Sequence, residues 1–307
     1  MRSPFLLALA AASALAVQSN TLFNFTSGID IENSELRPNG HLLLTTFERG
    51  RLYTLNPYAK VPKAELVASL PGATALCGIT SIAYDKYAVI GGVRGSYHYD
   101  NETIYTVDFS QDASAPVIQK AAHLPDAIML NGMAALPKQP HIILVGDAVL
   151  GVLFRVDTTT GAYKVAFNNT ALVSPSTSSL PIGVNGLKIV GNNVYFTNSA
   201  GGTFSKVPVS DDGQTFGDVE VIATMDTSIG DWDDFIVDSN GVGYLAQPTL
   251  GIAQVFPNGT HSIYASGISS ATSVQISKEG YAYVTQSSGL VDIFKLPLNT
   301  TVAEGEV

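Results

Sequence analysis

The stretch Val184–Gly202, VNGLKIVGNNVYFTNSAGG, contains the pattern from which the architecture can be inferred. An alternating apolar run ends in a Gly-Asn-Asn turn, and a second run returns to a glycine-rich loop, which is the pattern of a β-hairpin. The first strand carries a polar residue, Asn185, where a buried strand would have an apolar one. The hairpin therefore predicts a strand whose beginning lines a polar space.

The same hairpin recurs along the chain, and each copy is followed by a third strand and, in most copies, by a weaker fourth strand. The other five copies cover Asn33–Gly50, Thr80–Gly95, Asn131–Gly151, Asp234–Gly251 and Thr272–Gly289. A four-stranded unit repeated six times predicts an all-β fold, a six-bladed β-propeller with four-stranded blades. A sandwich or a β-helix accounts for the six matching hairpins less well. The segment NTLFNFTSG, ahead of the first copy, is predicted to add the outer strand of the last blade and close the ring.

The N-terminal residues have the pattern of a secretory signal peptide. Arg2 precedes an apolar run from Phe5 to Leu15, and Ala14-Leu15-Ala16 is a small-residue cleavage site. We therefore expect a signal peptide at residues 1–16 and a single propeller domain at 17–307. No segment has the roughly 18 apolar residues that a membrane span needs. The predicted location is the secretory pathway, with secretion or delivery to the lumen of a vesicle or vacuole as alternatives.

Composition agrees with a secreted protein. Five Asn-x-Ser/Thr sequons predict glycosylation at Asn24, Asn101, Asn168, Asn258 and Asn299. Cys77 is the sole cysteine, so no internal disulfide can form, and we interpret it as buried and inert rather than nucleophilic. The net charge is −10 with no basic cluster, which argues against nucleic acid as a partner.

The first residues of the six innermost strands are predicted to meet at the channel. They are Glu32, Ser81, Asn131, Asn185, Asp234 and Ser273. Carboxylate, amide and hydroxyl oxygens are the ligands that Ca²⁺ prefers, and Mg²⁺ or Mn²⁺ could replace it. A polar, water-filled channel without an ion is the alternative.

Four stretches, ENSELRPNGHLLLT, LNGMAALP, VNGLKIVGNNVYFTNS and DDFIVDSNGVGYLAQ, resemble the senescence marker protein/gluconolactonase family of six-bladed propellers. The resemblance implies one divalent cation, with Ca²⁺ foremost, held by Glu32, Asn185 and Asp234. It also implies that Asn131 lies near the substrate.

A closer resemblance is to a secreted fungal branch of this superfamily, carried by Glu32-Asn33, by the run Arg37–Leu43 and by Asp233-Asp234-Phe235. This branch includes hetero-Diels–Alderases of tropolone–sesquiterpene meroterpenoid biosynthesis. The resemblance implies that a tropolone o-quinone methide is joined to an alkene of humulene type to form a dihydropyran ring. Tropolone and terpenoid small molecules are the implied partners.

Such a cycloaddition needs orientation, exclusion of water and an acid or cation at the developing oxygen charge. Besides Asp234 and Asn131, the candidate residues are Trp232 as a stacking wall, Arg49 as an oxygen-binding group and His123 as an acid. The alternatives are burial of Trp232 between blades and plain solvent exposure of Arg49 and His123.

Other functions remain open at this point. A divalent-metal-dependent lactonase with Asp234 as base and a non-enzymatic binding propeller are the alternatives. The sequence contains no GxGxxG, GxxxxGK[ST] or HExxH pattern, so a nucleotide cofactor and zinc-protease chemistry have no support. The oligomeric state is not determined by the sequence.

Overall fold

The computed structural model describes residues 17–26 and 28–296, which form 25 strands in six sheets. The prediction of an all-β, six-bladed propeller is confirmed. The predicted signal peptide at residues 1–16 and the sequon at Asn299 lie outside the described residues.

Each blade has four consecutive antiparallel strands, with the chain running from the channel outward, except where the N-terminus contributes. Blade one is β3–β6 (Ile31–Leu36, Leu42–Thr46, Arg51–Leu55, Ala64–Ser69) and blade two is β7–β10 (Ala75–Ala83, Lys86–Arg94, Tyr99–Asp108, Val117–His123). Blade three is β11–β14 (Leu130–Leu136, Gln139–Asp147, Val152–Asp157, Tyr163–Asn168) and blade four is β15–β18 (Val184–Val190, Asn193–Asn198, Thr203–Pro208, Glu220–Thr224). Blade five contains β19–β22 (Phe235–Val237, Gly243–Gln247, Gly251–Val255, His261–Ser266) and blade six contains β23–β25 (Ala271–Ile276, Tyr281–Gln286, Leu290–Lys295).

The N-terminal segment completes the last two blades. β2 (Asn20–Asn24) pairs antiparallel with β25, so the predicted ring closure by NTLFNFTSG is confirmed. The two-residue strand β1 (Val17–Gln18) pairs in parallel with β22 and adds a fifth strand to blade five, which the sequence did not indicate. Between these strands, the Ser19 hydroxyl donates to the Asp292 carboxylate at 2.9 Å.

The apolar core lies between neighbouring blades, because each sheet buries both faces against the next. One cluster, for example, joins Leu136 and Leu144 of blade three to Leu187 and Phe196 of blade four, and all four side chains are buried. In the described part of the chain no helix is long and apolar enough to cross a membrane.

Candidate functional site

All six innermost strands contain a β-bulge at the same level, next to the end of the channel where each strand begins. The pairing with the second strand shifts by one residue after Ile31, Leu76, Leu130, Val184 and Ala271, and in blade five Asp233 and Asp234 both bond to Ala246. Bulges re-aim side chains and are frequent beside active sites. The first residue of each bulge belongs to a ring at this end of the channel: Glu32, Cys77, Asn131, Asn185, Asp233 and Thr272. We call this set the mouth ring.

Glycines explain how the inner strands approach each other closely enough to form the ring. A Cβ atom at Gly132 would lie 2.2 Å from the carbonyl oxygen of Asn185, and one at Gly78 would lie 2.3 Å from that of Asn131. Both distances are far inside van der Waals contact, so no side chain fits there. The pairs Cys77-Gly78 and Asn131-Gly132 are therefore contact points between blades rather than turns.

Three predicted ring residues, Glu32, Asn131 and Asn185, occupy the mouth ring, and the other three blades differ from the expectation. In blade two the ring residue is Cys77, because β7 begins at Ala75, ahead of the hairpin that the pattern marked. Ser81 instead pairs with Tyr87 near the turn at the opposite end of β7. In blades five and six the ring residue is the one before the predicted residue.

Asp234 lies beside the mouth ring and is paired with a lysine. The Lys188 ammonium donates to both carboxylate oxygens at 2.9 and 3.0 Å, and only 8% and 3% of the two side chains are exposed. The Asp234 carboxylate also packs against Gly186, since a Cβ there would lie 2.6 Å from Asp234 Oδ1. Asp234 is therefore ion-paired with Lys188 inside the protein, and Asp233 occupies the ring position that was predicted for Asp234.

The two ring carboxyl groups have raised pKa values. Burial raises the pKa of Glu32 to about 8, with Arg94 opposing the shift and the charge of Asp234 adding to it. Burial, reinforced by the charge of Glu32, raises the pKa of Asp233 well above its usual range. Both side chains are partly buried. Two carboxyl groups that are partly desolvated and repel each other cannot both ionise easily, so at neutral pH the pair retains a proton.

Asn185 presents an unsatisfied acceptor to the ring. Its Nδ2 donates to Ser199 Oγ at 2.9 Å, and that hydroxyl donates to the Trp232 carbonyl at 2.8 Å. Asn185 Oδ1 is buried and has no hydrogen-bond partner among the described residues. A buried acceptor without a partner is costly, so it marks a place where a bound group would be stabilising.

These oxygens fit a hard cation. The carboxyl groups of Glu32 and Asp233 with Asn185 Oδ1 provide two anionic oxygen ligands and one neutral one, which is a donor set of the kind that Ca²⁺ takes. Within residues 17–26 and 28–296 no group of three His, Cys, Asp or Glu side chains could hold a metal ion. A cation at the mouth ring would therefore depend on the amide oxygen of Asn185.

Two buried carboxyl groups hold the segment that leads into Asn131. Asp147 accepts the Ile128 N–H at 2.7 Å and the Met129 N–H at 3.3 Å, and Glu102 Oε1 accepts the Leu130 N–H at 2.6 Å. Burial raises the pKa of Glu102 to about 9, partly offset by the Leu130 hydrogen bond. Glu102 Oε2 has no partner among the described residues. No sequence pattern singled out Glu102, because it lies on the third strand of its blade, away from the inner hairpins.

The aromatic and cationic candidates do not gather at the ring. The Trp232 indole is fully buried with Phe204 and Phe235 between blades four and five, so it offers no stacking surface to a ligand. Arg49 is 77% exposed and lies 3.6 Å from Glu48. His123 is exposed at the end of β10, the outermost strand of blade two. A cation nearer the ring is Arg94, whose charge reaches Glu32, and whose guanidinium stacks 4.0 Å from the Phe47 ring centre.

Cys77 is 1% exposed and burial raises the pKa of its thiol, so the thiol stays protonated at neutral pH. The described sequon asparagines are exposed and therefore accessible to glycosylation: Asn24, Asn101, Asn168 and Asn258.

No family model matches the chain. It is 27% identical over 267 residues to "Putative hetero-Diels-Alderase asR5" of Sarocladium schorii, covering 78% of this chain and 66% of that protein. It is 25% identical over 252 residues to "Putative hetero-Diels-Alderase" of Phoma sp, covering 74% of this chain and 71% of that one. The chain thus spans about two thirds of the length of these relatives.

Solved propellers share the fold. A calcium-binding protein, regucalcin, from Agrobacterium tumefaciens superposes with a TM-score of 0.69 at 14% identity, covering 95% of this chain and 98% of that one. A protein described as a "putative gluconolactonase" gives a TM-score of 0.63 at 12% identity, with 94% of each chain covered. The resemblance expected from the sequence, to gluconolactonase-like propellers and to proteins named hetero-Diels–Alderase, is confirmed.

Proposed function

We propose that this chain is a hetero-Diels–Alderase that joins a tropolone o-quinone methide to a humulene-type alkene, forming the dihydropyran ring of a meroterpenoid. Similarity to two proteins of that name over about three quarters of the chain supports the reaction class. The observation that carries the proposal is the pair Glu32 and Asp233, two partly buried ring carboxyl groups that retain a proton at neutral pH. Such a pair can act as both acid and base within one site.

The pair provides what methide formation requires. The protonated carboxyl gives its proton to the leaving hydroxyl of a hydroxymethyl tropolone, the carbon–oxygen bond breaks, and water departs. The ionised carboxyl takes the proton of the tropolone hydroxyl, so the site ends with the protons it began with. A carboxyl proton donated to the remaining tropolone oxygen then polarises the heterodiene for cycloaddition. Asn185 Oδ1 accepts a hydrogen bond from the substrate, which satisfies its buried acceptor.

The loops around the mouth ring suit an apolar second substrate. Neighbouring strands in each blade are antiparallel, so the loops after the second and fourth strands lie on the face where the inner strands begin. Five large apolar side chains on these loops are exposed: Tyr97, Leu150, Val173, Ile229 and Leu250. Exposed apolar groups around a polar site are typical of a binding surface for hydrophobic ligands. A terpenoid fits this rim better than a sugar lactone does.

A divalent cation has a place in this proposal. Glu32, Asn185 and Asp233 would hold it with both carboxyl groups ionised. The cation would then take the place of the carboxyl proton and stabilise negative charge on the tropolone oxygens. The same donors support the second candidate, a metal-dependent lactonase of the gluconolactonase type. That reading is favoured by the fit of the ring to a hard cation, and it requires that Asp233 replace Asp234 as the base, because Lys188 holds Asp234.

The test is an assay of purified protein, residues 17–307, with a hydroxymethyl tropolone and humulenol, with and without chelator. We expect the dihydropyran adduct, and at least a tenfold loss of rate in E32Q and D233N. D211N serves as the control, since Asp211 is exposed on the opposite face. Calcium-dependent hydrolysis of lactones without adduct formation would establish the lactonase instead. Failure of both reactions would leave a binding propeller.

We further propose that the protein enters the secretory pathway and is glycosylated. The pattern of residues 1–16 and the exposure of the described sequon asparagines support this. Glycosidase treatment of protein secreted by a fungal host, with N-terminal sequencing, tests it. We expect a mass decrease and a first residue of Val17.

A further inference from the structure

The buried ion pair of Lys188 and Asp234 lies against the mouth ring but takes no part in the reaction proposed above. Lys188 is three residues after Asn185 on β15, and Asp234 directly follows Asp233. Asp234 Oδ1 packs on the backbone of Gly186, the residue next to Asn185. The ammonium is bonded to that oxygen, so the ion pair packs against the residue that directly follows Asn185.

The charges around the mouth ring are strongly unequal. Five carboxyl groups interact there, those of Asp30, Glu32, Asp231, Asp233 and Asp234. Two cations balance them, and each already has a carboxylate: Arg94 pairs with Asp30 at 3.2 Å and Lys188 with Asp234. The remaining carboxyl groups, those of Glu32, Asp231 and Asp233, form no ion pair with a Lys or Arg side chain in the described residues. The ring therefore attracts a cation, and Lys188 is the group that limits the attraction.

We propose that Lys188 is an internal counter-ion that regulates divalent-cation binding at the mouth ring. Its ammonium neutralises Asp234 and holds that carboxylate away from the ring, so the ring binds a hard divalent cation only through Glu32, Asn185 and Asp233. Removing the ammonium leaves Asp234 as an uncompensated anion beside the ring. A divalent ion is then the available partner for it, because Asp234 is buried among the blades, where few water molecules can solvate its charge.

This inference rests on the mouth ring as the proposed site but not on the reaction performed there. Its test is therefore calorimetric titration of the substrate-free protein with Ca²⁺ at constant pH and ionic strength. We expect K188M to bind Ca²⁺ at least tenfold more tightly than the wild type, and D234N to bind it more weakly. K138M is the matched control, since Lys138 forms an exposed pair with Asp211 at 2.8 Å on the opposite face. Its affinity should equal that of the wild type.

The double variant K188M/D234N separates the two parts of the argument, because it removes a cation and an anion together. We expect its affinity to return to within threefold of the wild type. Equal affinity of wild type and K188M, or no Ca²⁺ binding by any variant, overturns the proposal. A double variant as tight as K188M overturns the role given to Asp234. Circular dichroism of each variant establishes that it is folded, and if K188M does not fold, D234N and the double variant alone decide. In that case the Ca²⁺ affinity of D234N must be at least tenfold lower than that of the double variant.

Discussion

Replacing Glu102 by glutamine is expected to change how stability depends on pH. Glu102 is 1% exposed, and its pKa is about 9 in the folded protein against an ordinary value of 4.5. The folded state therefore binds a proton at this group that the unfolded state releases, throughout the interval between the two values. The free energy of unfolding must fall as pH rises through that interval.

The size of the effect follows from the shift. Between pH 4 and pH 7 the unfolded state loses the Glu102 proton and the folded state keeps it, which corresponds to roughly 2.4 pH units of differential proton binding. Each unit is worth about 1.4 kcal/mol. The free energy of unfolding therefore falls by about 3 kcal/mol over that range. A glutamine has no such dependence. Its Oε1 can still accept the Leu130 N–H, and its Nε2 takes the place of the unpartnered Oε2.

Urea unfolding of both proteins at several pH values measures the difference. We expect E102Q to gain about 3 kcal/mol relative to the wild type between pH 4 and pH 7. E65Q is the control, since Glu65 is exposed on β6, and its difference from the wild type should not vary with pH. A constant difference between E102Q and the wild type would refute the reasoning, because it would mean that Glu102 ionises at an ordinary pKa.

Three further predictions concern the site and the ring. Adduct formation should decline as pH rises through about 8, since Glu32 must hold its proton to act as the acid, and a rate that increases through this range would contradict that role. G132A should lower the free energy of unfolding by about 2–4 kcal/mol in thermal or urea unfolding, because its Cβ would overlap the Asn185 carbonyl. G28A is the control and should be neutral, since a Cβ there would have no atom within 4 Å. Equal stability of the two variants would count against the close approach of the inner strands. A protein that begins at residue 25 lacks β1 and β2 and should be recovered mainly as aggregate. One that begins at residue 19 lacks β1 alone and should remain soluble. Similar solubility of the two truncated proteins would refute the closing role of β2.

The sequence predicted the propeller because its six hairpins repeat a local pattern. Each blade is built mainly from strands that are consecutive in the chain, so the local pattern corresponds directly to the fold. It also predicted the closing role of β2, since the segment alternates as a strand does. It did not predict β1, because two residues paired in parallel with a distant strand carry no periodicity.

The mouth ring was predicted in part, and the reasons differ by blade. Asn131 and Asn185 are recognisable because each precedes a glycine that the inner strands require. Cys77 also precedes such a glycine, Gly78, but it was not recognised as a ring residue because a thiol is not an oxygen ligand. Asp233 and Asp234 could not be distinguished, since only the bulge opposite Ala246 decides which one faces the ring. The pairing of Lys188 with Asp234 joins residues of neighbouring blades and has no sequence pattern.

The pairing of β2 with β25 has a consequence for synthesis of the protein. The Ser19–Asp292 hydrogen bond and the β2–β25 ladder join segments some 270 residues apart. At the usual elongation rate of about 5–20 residues per second, the N-terminal strand must wait roughly 15 to 50 s on the ribosome before its partner emerges. During that interval it is an unpaired strand beside blades that are already folding. Closure of the ring therefore follows the synthesis of all the blades, and β2 is the strand that a chaperone would have to shield until β25 is available.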